Sequence, residues 1–164
     1  MSVRVGIVLG SKSDLPYAEE TVRALRELGI RYELRILSAH RTPRQLEAYA
    51  SGVRARGIQV LIGLAGHAAA LPGTLAALTT LPVIGVPLPT SDLAGQDALL
   101  AIAQMPPGVP VGTMALGKPG ARNAALFAAA ILALAEPAVG TALEALRAQM
   151  AERVLRDDAE AQPA

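Results

Sequence analysis

The chain has 164 residues, 52% of them hydrophobic and 18% charged, with a net charge of +1. That length fits one domain able to bury a full core, and the apolar content excludes wholesale disorder. The near-zero charge leaves no electrostatic footprint for nucleic acid, and aromatic residues at 2% leave little for base stacking.

In chain order, Val3 to Leu9 reads as a buried strand. Asp14 is placed to cap the helix that follows, with Pro16 in its first turn. Val22, Leu25 and Leu28 mark that helix's apolar face, and Gly29 ends it. Tyr32 to Leu37 is a second strand. Thr42-Pro43 opens a second helix with Leu46, Tyr49, Ala50 and Val53 inward, closed by Gly57. Val60 to Leu64 is a third strand, Ala65 to Gly73 a loop of small residues, and Leu75 to Leu78 a short helix. Val83 to Val86 is a fourth strand, Gln96 to Ala103 a helix, and Val109 to Thr113 a short fifth strand. An alanine-rich helix covers Ala121 to Ala135, and an amphipathic one covers Leu143 to Leu155.

Strand and helix alternate throughout, which predicts a three-layer α/β/α domain with a parallel sheet and right-handed crossovers. Residues 1–157 are expected to form this single domain, and residues 158–164 a flexible tail. The Ala121 to Ala135 helix is apolar on more than one face, which predicts burial in a homo-oligomer; the alternative is a central helix within the monomer. The uncharged run from Gly57 to Ser91 is broken by Pro72, Pro82, Pro87 and Pro89, so buried strands and loops are expected there rather than a membrane span. The amino terminus enters a strand pattern directly, so no signal peptide is expected. A cytoplasmic protein without membrane attachment is therefore expected.

Three loops carry the chemistry. Gly10-Ser11-Lys12-Ser13-Asp14 joins the first strand to a helix, where free N–H groups and the hydroxyls of Ser11 and Ser13 suit an anion. Asp14 has the wrong charge for phosphate but accepts from ribose hydroxyls. The alternative is an ordinary capped loop. Ser38-Ala39-His40-Arg41-Thr42-Pro43 puts an imidazole and a guanidinium at the carboxyl end of the second strand, the edge where open parallel sheets bind ligands. Arg41 suits phosphate, and His40 suits proton transfer near neutral pH. The third loop, from Ala65 to Gly73, offers mostly small residues and backbone amides to a ligand ring; the alternative is simple close packing. Absent cysteine excludes disulfides and thiolate chemistry, and two histidines without paired carboxylates do not build a metal site.

On these loops, the chain resembles the N5-carboxyaminoimidazole ribonucleotide mutase family of purine biosynthesis, bacterial class I. The resemblance spans about Val3 to Leu134 and includes Gly85-Val86-Pro87, Gln104-Met105-Pro106, Pro110-Val111-Gly112-Thr113 and Gly117-Lys118. It implies a flavodoxin-like core, an octamer with sites at subunit junctions, and a reaction without cofactor. The carboxyl group of a carbamate would move from the exocyclic nitrogen to ring carbon C4, through CO2 held in a closed pocket. His40 would shuttle the proton. Ser11, Ser13, Ser38 and Arg41 would hold phosphate and nearby groups, and Asp14 the ribose. The family's third loop reads Gly-Gly-Ala-Ala-His-Leu-Pro-Gly, whereas here Gly66-His67-Ala68-Ala69-Ala70-Leu71-Pro72-Gly73 places Ala70 at the histidine and His67 at a glycine. Gly66, His67, Ala70 and Leu71 are accordingly expected against the ligand. Were this loop to take one helical turn, positions 67 and 70 would face the same side, and His67 would partly substitute for the missing histidine; the alternative is that His67 is a solvated loop residue. Two other readings stand beside the mutase: a carboxylase taking free CO2 and aminoimidazole ribonucleotide, and a non-catalytic phosphate-binding module of the same fold.

Overall fold

A computed structural model describes residues 3–162. Five parallel strands form one sheet: β1 (Val5–Leu9), β2 (Tyr32–Ile36), β3 (Val60–Gly66), β4 (Val83–Leu88) and β5 (Gly112–Thr113). Their order is β2-β1-β3-β4-β5, and every pairing is parallel, with Val5 opposite Tyr32 on one side and Val60 on the other. The helices are α1 (Leu15–Glu27), α2 (Pro43–Gly52), α3 (Ala70–Leu78), α4 (Gln96–Ala103), α5 (Gly117–Ala133) and α6 (Pro137–Ala161). This is the three-layer flavodoxin-like arrangement expected from the sequence.

The period-two alternation of the strands divides the core into two. Val5, Ile7, Leu9, Val60, Ile62, Leu64, Ile84 and Val86 point to α1, α5 and α6. Val8, Leu61 and Val83 point to α2, α3 and α4, with Leu46, Tyr49, Leu75 and Ile102 above them. Gly85 keeps this second face low: a Cβ there would collide with Ile102 and stand 2.9 Å from Val111 and 3.2 Å from Pro72. Filling either face with aliphatic side chains at about 25 cal/mol per Å² is the main driving force for the fold.

Several element ends differ from expectation, each with a local reason. β4 continues through Pro87 to Leu88, because β5 stops opposite Gly85; beyond that point β4 is an edge, where proline is tolerated. α3 begins at Ala70 instead of Leu75, and α5 at Gly117 instead of Ala121. Pro72 and Pro119 sit in first turns, where no N–H is needed. α2 ends at Gly52, ahead of Gly57. β5 keeps only the last two residues of its predicted span.

The carboxyl-terminal pair of helices bears on assembly. α5 buries Ala121, Ala124, Ala125, Ala128, Ala129 and Leu132 within the chain, and the buried Thr21 hydroxyl of α1 donates to the Ala121 carbonyl at 2.8 Å. The many apolar sides of α5 are thus largely met inside the monomer, by the sheet, α1 and α6. α6 is longer at both ends than Leu143–Leu155. Every residue from Arg147 to Gln162 is exposed, including Met150, Val154 and Leu155. Exposed apolar surface therefore remains on α6 and, at Phe127 and the capping Leu134, on α5. Among the described residues no helix is long and apolar enough to cross a membrane.

Candidate active site

The strand order reverses between β1 and β3, and the loops leaving their carboxyl ends splay apart there. A cavity of about 540 Å³ opens at this point, within the range of small-ligand sites. It is lined from three loops by Ser11, Ser13 and Asp14, by Ser38, His40 and Arg41, and by Gly66, His67, Ala70 and Leu71. All ten residues to which the sequence pointed thus meet in one space, together with Gly10, Ala39, Ala65, Ala68, Ala69 and Thr90.

The loop after β1 is held by its own side chains. Ser11 caps a short 3₁₀ turn, Lys12–Asp14, in a reciprocal capping box. The Ser11 N–H donates to Asp14 Oδ2 at 2.9 Å, and the Ser13 hydroxyl donates to Ser11 Oγ at 2.9 Å. The sequence suggests Asp14 as the cap of α1; its side chain makes no cap bond to that helix and turns back to the loop instead. Asp14 is only 6% exposed. Burial pushes its carboxyl above the usual 3.8, opposed by the Ser11 and Ser13 hydrogen bonds and by the charges of Arg41 and His67.

The loop after β2 is tied both to itself and to the first loop. The Ser38 N–H donates to Thr42 Oγ1 at 2.8 Å, and the Thr42 hydroxyl returns to the Ser38 carbonyl at 3.1 Å. Ser38 Oγ accepts from the Arg41 backbone N–H at 3.2 Å and from Arg41 Nε at 3.4 Å. Arg41 Nη2 donates to the Gly10 carbonyl at 2.7 Å, which staples the two loops together. The remaining guanidinium donors stay available to an anion in the cavity. His40 is exposed and has no hydrogen-bond or ion-pair partner among the described residues, so its imidazole is free to exchange a proton with a ligand.

The loop after β3 is built differently. His67 and Ala69 both adopt left-handed backbone, at φ 54° and φ 37°, a region that costs non-glycine residues energy. The helical turn that would have placed 67 and 70 side by side is absent, since α3 starts only at Ala70. His67 and Ala70 nevertheless line the same cavity. Thr90, at the end of β4, is the polar residue that reading the sequence missed. Its position just past a strand's carboxyl end is the signal that could have found it.

Fold and cavity together define an open parallel α/β protein with a candidate ligand site at the topological switch point, where hydroxyl and guanidinium donors stand with the His40 imidazole, unpartnered among the described residues. Residues 4–153 match the model of the AIR carboxylase family, and the chain belongs to that family. It is 51% identical over 154 residues to the N5-carboxyaminoimidazole ribonucleotide mutase of Brucella melitensis, covering 94% of this chain and 95% of that one. It is 50% identical over 147 residues to the mutase of Pyrococcus abyssi, covering 90% and 83%. The crystal structure of Treponema denticola PurE superposes with a TM-score of 0.87 at 28% identity, covering 97% of this chain and 98% of that one.

Proposed function

We infer that this chain is an N5-carboxyaminoimidazole ribonucleotide mutase, forming 4-carboxy-5-aminoimidazole ribonucleotide in purine biosynthesis. The observation that carries the reading is the single cavity in which His40 stands beside a cradle of Ser11, Ser13, Ser38 and Arg41, in a chain half identical to named mutases.

The chemistry asks little of the protein beyond position and exclusion of water. Ser11, Ser13, Ser38 and Arg41 hold the phosphate and neighbouring groups; Asp14 accepts from the ribose hydroxyls. As the carbamate C–N bond breaks, CO2 leaves and the exocyclic nitrogen takes a proton from His40. Ring carbon C4 then attacks the trapped CO2, and His40 recovers a proton from C4 as the ring regains aromaticity. The imidazole ends as it began, so no external acid, base or oxidant is consumed. The small side chains of the third loop let the ring and CO2 lie close to the backbone. No cofactor enters this sequence of steps.

The test is conversion of the carbamate nucleotide by purified protein without ATP or added bicarbonate. Turnover that requires bicarbonate and aminoimidazole ribonucleotide would instead identify a carboxylase, and binding without turnover a non-catalytic module. The chain acts as a homo-oligomer, in this reading an octamer, with the exposed apolar residues of α6 supporting self-association. Light scattering at micromolar concentration is expected to give a mass well above a dimer; a monomer ends that part of the reading.

A further inference from the structure

Only its place just past β4 marks Thr90 in the sequence, yet its hydroxyl is the group that meets the histidine of the third loop. Thr90 follows β4, with its N–H on the Leu88 carbonyl at 2.9 Å. Its hydroxyl lies 3.3 Å from Nδ1 of His67, the one hydrogen-bond partner of that ring among the described residues. The approach depends on Gly66: a Cβ there would overlap Thr90 Oγ1 and stand 3.2 Å from the Leu88 carbonyl. One residue further on, His67 takes its left-handed conformation. A costly backbone state persists only where its surroundings over-determine it, and such states cluster at ligand sites. His67 is also exposed, and an exposed imidazole without a tether samples several rotamers. A positive charge on the ring would help hold down the pKa values of both Asp14 and Asp97. Asp97 is itself held by the Ser91 hydroxyl at 2.8 Å.

We propose that Thr90 is a positioning residue for His67: it occupies Nδ1 and leaves Nε2 as the ring nitrogen presented to the nucleotide in the cavity. Gly66 is the permissive half of the device, because any larger residue closes the space that the hydroxyl uses. The inference rests on the proposed function only for the identity of the nucleotide; the pairing itself rests on geometry.

The test reads the ring directly. His40 and His67 are the only histidines in the chain, so long-range ¹H–¹⁵N NMR resolves both imidazoles. Thr90→Val is expected to move the His67 Nδ1 resonance and change its tautomer balance, while Thr90→Ser keeps the wild-type pattern and His40 stays put in both. In turnover, Thr90→Val is expected to raise KM about threefold to tenfold with kcat held within about twofold, the size of one lost hydrogen bond, and Thr90→Ser to restore KM. An unmoved Nδ1 resonance in Thr90→Val overturns the pairing, and an unmoved KM overturns presentation to the ligand. Should the valine variant fold poorly, Thr90→Ala is judged by the same two readings. The resonances need no turnover. A protein inactive on the carbamate nucleotide would therefore sink the proposed function, while the resonances would still decide the pairing. In that case calorimetry with aminoimidazole ribonucleotide replaces KM, with the same threefold to tenfold loss expected and an unchanged Kd counting against the proposal.

Discussion

The loops after β1 and β2 face the loop after β3 across one cavity, but the two sides are built by different means. The first two are laced by side chains: Ser11, Ser13 and Asp14 bond one another, Ser38 and Thr42 exchange bonds, and Arg41 joins the two loops through Gly10. The third carries almost no side-chain bonds and is shaped by backbone, through two left-handed non-glycine residues and a glycine that admits Thr90. Polar lacing presets donors for a charged ligand without reorganisation. A loop of small residues lets a flat ring approach closely, and it stores strain in place of bonds. In the proposed reaction one side would grip the nucleotide and supply the proton, and the other would shape the space above the ring.

The sharpest way to break this division is at His40. His40→Asn is expected to lower kcat by about 10²- to 10⁴-fold with ligand binding retained, the usual share of a general acid–base group. Near wild-type turnover would place the proton transfer on another residue, with His67 of the third loop the first to examine. Next in size is Arg41→Ala, which removes both the cradle's cation and the staple to Gly10. Nucleotide binding should weaken by about 10- to 100-fold, the range for hydrogen bonds to a charged group, with the unphosphorylated nucleoside much less affected. Calorimetry that gives equal losses for both ligands would move the phosphate elsewhere in the cavity.

His67→Gly probes the strained side and separates stability from function. Glycine accepts φ 54° without steric cost, so thermal unfolding should show a fold no less stable than wild type. KM should rise about threefold to tenfold, in line with one lost contact, and adding Ala70→His should recover part of it. If the single change leaves KM and kcat alone, the third loop acts through its backbone only.

The smallest effect concerns Asp14, the buried member of the laced side. Burial raises its pKa above 3.8. Between that value and the folded one, the native state holds a proton that the unfolded chain has released, so stability falls as pH rises through the window and the full cost is present at neutral pH. Asp14→Asn keeps an acceptor for the Ser11 N–H and removes the charge. It should raise Tm by a few degrees at neutral pH, with the gain shrinking toward about pH 4, while the nucleotide binds less tightly. A Tm difference that is independent of pH would show that burial of the charge is not the cause.

The sequence by itself determined the elements and most of the site, because those signals are local. Strand–helix alternation set the layers, and Gly29 and Pro16 marked the bounds of α1. That the residues just past the carboxyl ends of β1, β2 and β3 would meet in one cavity was legible, since in a parallel sheet all three ends open on one edge. The tertiary structure decided what depends on neighbours far along the chain. That β4 runs through Pro87 follows from where β5 stops. That α5 is largely covered from within follows from α1 and α6 packing against it, while Met150, Val154 and Leu155 of α6 stay exposed. That Asp14 turns into its own loop rather than capping α1 follows from Ser11 offering a better-placed N–H. The left-handed backbone at His67 and Ala69 left no mark in the sequence, and Thr90 was marked only by its place just past the end of β4. L-residues pay a steric cost for that conformation unless their surroundings hold them there, and a linear pattern does not record those surroundings.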